Sequence, residues 1–296
     1  MPRVSVVIPC HNGEHYLREA LESALGQTRA PDEILLLDDG STDKSAEIAR
    51  SFGPRVTVIS QKNVGQSATR NRGIDEARGD FIAFLDADDI WLPDKIERQL
   101  RLLETTPDVD LIYTAYFGLT PDGAKRPVSV PDAASIVAAL RLACPILPST
   151  VMVRKSLLAG ERFDATLSSS EDWDLFYRLS KRGTFGVIDD PLICYRSHPA
   201  SVTHGNWSSI LAAAQTVSKR IQADFSGLER LTMKRRVDGR LYANAAIAAR
   251  DQGSSEALLY VARSIRAWPF PGVTRGRHRL LAKLALQRAG AALRTT

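Results

Sequence analysis

Short apolar runs alternate with amphipathic stretches through the first third of the chain. Residues 4–8, 34–37, 56–59 and 81–85 read as strands, because continuous apolar runs of this length suit a sheet covered on both faces. Between them, residues 14–27 carry Leu17, Leu21, Ala24 and Leu25 at helical spacing. Thr42 or Asp43 can cap a helix bearing Ile48, Ala49 and Phe52, and residues 67–77 predict a further helix. Strands separated by helices of this length predict an α/β fold, a parallel sheet with right-handed crossovers. Farther along, residues 95–103 predict a helix with Ile96, Leu100 and Leu103 inward, and residues 111–117 a strand. Residues 121–131 read as a loop, and Pro145 and Pro148 bracket a second irregular stretch. Residues 150–153 predict a returning strand, 171–179 a helix, and 186–188 and 192–195 two short strands.

The pattern changes from Trp207 onward, where the chain becomes rich in Ala, Leu and Arg, with a turn at 251–254 and a break at 269–272. That predicts an α-helical C-terminal appendage. Charge divides at the same place. The whole chain of 296 residues carries +5, but from Asn206 onward there are 16 Lys and Arg against 5 Asp and Glu, a net of +11 that leaves the rest at −6. A mildly acidic body, residues 1–205, is therefore expected to be a separate domain from a basic helical region, residues 206–296. Three widely spaced cysteines, Cys10, Cys144 and Cys194, predict a reducing compartment rather than a disulfide framework or a zinc site. The first strand begins at Val4, which leaves no room for a signal peptide, and no apolar run approaches the ~18 residues of a membrane span. A cytoplasmic location is expected. The basic positions, among them Lys234, Arg235, Arg236, Arg263, Arg266, Arg275 and Arg277, lie among Trp268, Phe270 and many Leu and Ala residues. They fit either peripheral contact with the inner face of an anionic membrane, or a solvated face on a bundle that packs against the catalytic part or another subunit. No nucleic-acid-binding module accompanies the charge.

The chemistry concentrates where strands end. Asp86-Ala87-Asp88-Asp89 follows the apolar run at 81–85, at the sheet edge where open α/β folds bind ligands. Carboxylates this close repel by about 1 kcal/mol per pair in water at about 4 Å, a penalty that a hard divalent cation removes. A helix N-cap before Pro93 explains one aspartate but not three. Asp38-Asp39-Gly40-Ser41-Thr42-Asp43 ends a second strand; a carboxylate there can accept from a nucleobase or a ribose, or serve a strand-to-helix turn. Pro9-Cys10-His11-Asn12-Gly13-Glu14 ends a third, and Arg70 near a helix start can meet an anionic ligand or simply be solvated. Neither G-x-x-x-x-G-K-[ST] nor G-x-G-x-x-G is present, so a bound phosphate would rely on a metal instead.

Taken in order, Val6-Val7-Ile8-Pro9-x-His11-Asn12, Asp38 to Asp43, Asn63-x-Gly65 with Ala68-x-Arg70-Asn71-x-Gly73, and Leu85-Asp86-Ala87-Asp88-Asp89 resemble the family 2 inverting glycosyltransferases. The resemblance covers roughly residues 4–205 and implies the GT-A fold, Rossmann-like, with a mostly parallel sheet flanked by helices. It implies transfer of a sugar from a nucleoside-diphosphate donor, expected to be a UDP-sugar, to a saccharide or lipid-linked acceptor hydroxyl in cell-surface polysaccharide or glycolipid synthesis. By the same resemblance, Asp39 contacts the base, with Pro9, His11, Asn12 and Glu14 lining its pocket and Arg70 on the donor. Asp86 lies near ribose and metal, Asp88 binds Mn²⁺ or Mg²⁺, Asp89 supports them, and His198 completes the metal or diphosphate site. Ser170-Glu171-Asp172-Trp173 resembles the family's Glu-Asp-Trp/Tyr motif, which makes Asp172 the general base, although a Glu-Asp pair also favours a helix start. Trp173 is left as either a sugar-stacking wall or a core residue. Two other readings stay open, a nucleotidyltransferase and a nucleotide-sugar-binding subunit without catalysis.

Overall fold

The computed structural model describes residues 2–120, 123–198, 206–270 and 279–280. Four strands, β1 (Val4–Cys10), β2 (Glu33–Asp39), β3 (Thr57–Gln61) and β4 (Phe81–Phe84), lie in the order β3-β2-β1-β4 and are all parallel. Every residue of β1 and β4 is buried, as continuous apolar runs require in a doubly covered sheet. The crossovers are α1 (Leu17–Leu25), α2 (Ser45–Arg50) and α3 (Gln66–Glu76), and α1 buries Leu17, Ala20, Leu21 and Ala24 as their spacing predicts.

Beyond β4 the sheet becomes mixed. After β5 (Ile90–Trp91) and α4 (Lys95–Thr105) come β6 (Val109–Leu119), β7 (Lys125–Val128), α5 (Ile136–Leu140), β8 (Met152–Arg154), α6 (Glu171–Ser180) and β9 (Thr184–Arg196). The order continues β4-β8-β6-β9-β5, with β7 on β6. β8 is antiparallel to both β4 and β6, and it pairs through so few residues that its direction left no mark on the sequence. β6 runs parallel to β9, and β5 is antiparallel to β9. Two expectations change. Residues 186–188 and 192–195 belong to one long strand, because a register shift opposite Thr114 and Ala115 absorbs Asp189, Asp190 and Pro191 within it. The loop expected at 121–131 contains β7; its residues 121 and 122 lie outside the described residues.

The chain forms two compact units. The first comprises the sheet and its helices, with a core drawn from β1, β2, β4, α1 and their neighbours. The described residues from 206 onward belong to the second, together with Arg141–Ala143 and Ser168–Ser170. It contains α7 (Trp207–Gln222), α8 (Gly227–Asp251) and α9 (Ala257–Ala267), the expected helical region. Small residues let these helices approach closely: Ala243, Ala245, Ala246 and Ala249 of α8 are buried, and Ser264 Oγ of α9 donates to the Gly239 carbonyl. Among the described residues, no helix is long and apolar enough to cross a membrane.

Candidate active site

The site begins with a close approach of helix to sheet. A Cβ at Gly73 would stand 2.3 Å from Val7 Cγ1, so glycine there lets α3 lie tightly on β1. Gly65, at φ +89°, turns the chain into that helix. The first turns of α3 thereby reach the carboxyl ends of the strands, and Arg70 enters the interior with only 2% of its side chain exposed. Its Nη2 donates to Asp86 Oδ1 at 2.6 Å and its Nη1 to Glu171 Oε1 at 2.7 Å, while the guanidinium lies 5.3 Å from the Phe163 ring. Burial would lower its pKa, but Asp86 and Glu171 outweigh that and hold it charged. The neighbouring Asn71 fixes the Phe163 backbone with a reciprocal pair of hydrogen bonds. Arg70, expected on the donor, thus has both terminal nitrogens on protein carboxylates.

The ends of β1 and β2 are laced together. Asn12, at φ +52°, donates its backbone N–H to Ser41 Oγ and accepts from Thr42 N at 2.8 Å. Glu14 accepts from Lys44 N, and Asp43 accepts from Glu14 N. Asp43 Oδ1 also accepts from Ser45 N at the start of α2, although the N-cap position itself is Lys44 and not Asp43 or Thr42. Gly40 must be glycine, since a Cβ there would meet Asn63 N at 2.8 Å and φ is +71°. His11 is exposed, with Nδ1 2.9 Å from the Asp39 carbonyl; Asn63 and Asn12 amides lie against its ring nitrogens. Pro9 is buried inside β1. Asp39 is 3% exposed, and its carboxylate accepts from Gln61 Nε2, Val64 N and Gly65 N, all within 2.9 Å. Burial pushes its pKa up, but these bonds and Thr69 win, leaving it below the usual carboxylate range. Asp39 therefore organises the entrance to α3, and about one of its four lone-pair directions remains for a ligand.

The aspartate triplet divides in space. Asp86 turns to Arg70, and its backbone N–H donates to Ser149 Oγ. Asp89 is 1% exposed and accepts from Ser149 Oγ at 2.6 Å and from Arg196 N at 3.0 Å, so it ties the triplet to the turn before β8 and to β9. Asp88 Oδ2 lies 3.0 Å from His198 Nε2. The imidazole of His198 packs at a tilt against the Tyr16 ring, 4.8 Å between centroids, and the Arg196 guanidinium lies 4.5 Å from the centre of the same tyrosine ring. Burial and then Asp86 push Asp88 upward, with His198 opposing; burial, Asp88 and Asp86 push Asp89 well upward. Like charges remain crowded here.

Among the described residues no group of three or more His, Cys, Asp or Glu is disposed to hold a metal ion by itself. Asp88 and His198, with Asp86 beside them, instead offer an incomplete set of hard oxygen and imidazole donors whose mutual repulsion a cation would relieve. Such a set suits an ion that takes its remaining ligands from a diphosphate and water.

On the far side of Arg70, α6 opens with Glu171 and Asp172, directly after Ser170 at φ +62°. Asp172 Oδ1 accepts from Trp173 N at 2.7 Å. Burial, then Glu171, push its pKa up to about 7, while the Trp173 N–H and Arg70 pull it down. Trp173 is 3% exposed and donates Nε1 to the Leu140 carbonyl, so it is a core residue and not a wall of the site.

No sequence pattern points to Ser149, which serves both Asp86 and Asp89, or to Tyr16 against His198. A single serine after a proline and a tyrosine before a helix carry no spacing signal. The pairing of Glu171 with Arg70 could be suspected only because a buried arginine must find carboxylates.

The structure is similar to a mannosyltransferase, PcManGT from Pyrobaculum calidifontis, solved with GDP-Man and Mn²⁺ (TM-score 0.61, 17% identity, 98% of this chain and 86% of that one). It is also similar to TarS 1-349 from S. aureus solved with UDP (TM-score 0.57, 19% identity, 90% and 89% covered). Both likenesses are of fold, and the fold is GT-A. In sequence, the chain is 30% identical over 206 residues to the uncharacterized glycosyltransferase MJ1057 of Methanocaldococcus jannaschii, covering 66% of this chain and 71% of that protein. It is 30% identical over 217 residues to the uncharacterized glycosyltransferase RT0329 of Rickettsia typhi, where it spans 69% of this chain but 66% of the relative's length. The family profile described as Glycosyl transferase family 2 matches residues 5–154, which include both strand-end clusters and the triplet. The chain belongs to glycosyltransferase family 2.

Proposed function

We propose that the chain catalyses metal-dependent, inverting transfer of a sugar from a nucleoside-diphosphate donor, a UDP-sugar, to an acceptor hydroxyl in cell-surface polysaccharide or glycolipid synthesis. One observation carries the reading: Arg70 grips Asp86 with one nitrogen and Glu171 with the other, so the triplet and the Asp172 segment flank one buried cation. A donor on the triplet side and a base on the α6 side is the arrangement that in-line displacement with inversion demands. Asp39, with Pro9, His11, Asn12 and Glu14, forms the nucleoside end, and Arg70 fixes Asp86 beneath the donor. Asp88, Asp86 and His198 hold Mn²⁺ or Mg²⁺, which when bound offsets charge on the departing diphosphate. Asp172, poised near neutrality, takes the proton of the acceptor hydroxyl. UDP bound to TarS and GDP-Man with Mn²⁺ bound to PcManGT support a nucleotide-sugar donor and a divalent ion. Residues 1–205 form the catalytic domain of a cytoplasmic enzyme, and residues 206–296 a basic helical region for membrane or subunit contact.

The test is a thermal-shift screen of UDP, GDP and their sugars with and without Mn²⁺. UDP with Mn²⁺ should raise the melting temperature, by roughly 2.7 kcal/mol of added stability at a hundredfold excess over Kd. Asp88→Asn should remove the Mn²⁺-dependent part. No shift with any nucleotide would sink the proposal, whereas donor binding without turnover on any acceptor would favour a non-catalytic subunit.

A further inference from the structure

The second unit carries a surface that contributes none of the residues named for donor or metal. Among the described residues of the unit four large apolar side chains are exposed, Leu259 and three that concern this surface: Leu228 is 78% exposed, Leu231 52% and Phe270 61%. Leu228, Leu231 and Arg235 recur at i, i+3 and i+7 along the first turns of α8, so they share one helix face. Arg235 Nε donates to the carbonyl of Ala267, the last residue of α9, at 3.1 Å. On the next stretch, Arg236 lies 5.8 Å from the Trp268 ring, which in turn packs edge-on against Phe270 at 5.4 Å. These contacts bring the start of α8 and the end of α9 to the same end of the unit. Phe270 therefore belongs with the two leucines.

Around these apolar groups basic side chains outnumber acidic ones. Arg230, Lys234, Arg235, Arg236 and Arg266 are all exposed. The nearby carboxylates are engaged within the unit: Glu229 lies 3.9 Å from Arg141, and Asp238 accepts from Lys234 at 2.5 Å. A soluble helix normally buries its leucines and exposes its charges, and three protruding apolar groups cost free energy unless something covers them. A nucleic acid would match the cations but give the leucines nothing. A second copy would cover the leucines but set one cluster of cations against another. An anionic bilayer satisfies both, since leucine, phenylalanine and tryptophan enter the boundary while arginine and lysine stay at the phosphates.

We infer that this end of the helical unit, Leu228, Leu231 and Phe270 within their ring of arginine and lysine, docks on an anionic lipid surface. None of the residues named for the donor site belongs to that unit.

The test uses the purified full chain in a flotation assay with vesicles of phosphatidylcholine alone or of equal parts phosphatidylcholine and phosphatidylglycerol. The wild-type chain should float only with the anionic vesicles and be released by high salt. Leu228→Ser/Leu231→Ser/Phe270→Ser and, separately, Arg230→Glu/Arg266→Glu should each lower the bound fraction by about tenfold or more. All five positions are exposed, and circular dichroism verifies that both variants keep the helices of the second unit. Equal flotation with neutral vesicles, or variants that float like wild type, would overturn the inference. So would sedimentation velocity showing a dimer that the serine variant dissociates while no vesicle binds. Because the readout needs no donor, it can fail while the glycosyl-transfer proposal stands, or the reverse.

Discussion

Arg70 and Asp172 show how much one buried cation decides at the scale of the residue. Uncompensated, a guanidinium at 2% exposure is ruinous, so Asp86 and Glu171 must be present and ionised for the fold to tolerate it. Lysine keeps the charge but cannot fork to two carboxylates. In Arg70→Lys, Asp86 should keep its place through the Ser149 hydroxyl, while the start of α6 loses its anchor. We therefore expect kcat to fall by roughly 100-fold, as misplacement of a catalytic group by about an ångström does, with the donor KM changing far less. A loss confined to KM would instead put Arg70 in contact with the donor. Asp172 gives a pH prediction. Its native pKa of about 7 lies above the usual carboxylate value, so between the two the native state holds a proton that the unfolded chain releases. That stabilisation is complete at acid pH and is lost as pH rises through about 7. Asp172→Asn should thus melt several degrees higher than wild type at pH 8, with the gap narrowing steadily as pH falls from about 7 toward the usual carboxylate value, while abolishing turnover. In the wild type, kcat/KM should fall below pH of about 7, where the base is protonated. A flat profile would remove Asp172 from the role of base.

Among the elements, α3 is the one whose position matters most, and its placement rests on Gly73. Alanine would gain about 1 kcal/mol of helix propensity. Against that, its Cβ would stand 2.3 Å from Val7 Cγ1 and 3.1 Å from Leu37 Cδ2, both in a fully packed core. Overpacking typically costs about 1–3 kcal/mol and has nowhere to relax here, so it wins. Gly73→Ala should lower stability in urea by about 1–2 kcal/mol and weaken the nucleotide-dependent thermal shift, because Arg70 rides on the same helix. An unchanged or higher urea midpoint would show that α3 can lift without loss. The same helix marks what the sequence makes legible. Apolar runs and the glycine-spaced Asn63 to Gly73 segment speak directly of β1 to β4 and of α3, since burial on two faces and close helix–sheet contact leave composition no freedom. β9 was hidden because Pro191 and its two acidic neighbours look like a break, and only a partner strand with matching irregularity can absorb them. Ser149 was hidden for a related reason. Its two hydrogen bonds join segments some sixty residues apart, and a single hydroxyl leaves no periodicity.

For the whole molecule, the two units differ in how they are held. The first has a continuous core of large aliphatic and aromatic residues spanning several strands and α1. Around α8 and α9 the buried apolar cluster is small, centred on Ala245, Ala246, Tyr260 and Val261. Alanine buries little apolar area, and stabilisation by burial runs at about 25 cal/mol per Å², so the helical unit has less to lose per residue on heating. The proposed donor and metal residues Asp39, Asp86, Asp88 and His198, and the proposed base Asp172, all belong to the first unit. Ligand binding stabilises only states in which its site is formed. Calorimetry should therefore show two transitions, the lower from the helical unit, and UDP with Mn²⁺ should raise the upper one while leaving the lower in place. The lower transition should be the one that anionic vesicles move, since Leu228, Leu231 and Phe270 lie in the second unit. One cooperative transition that rises with nucleotide would mean instead that the helical unit unfolds with the sheet, and that a donor bound between the strand ends also stabilises the basic surface.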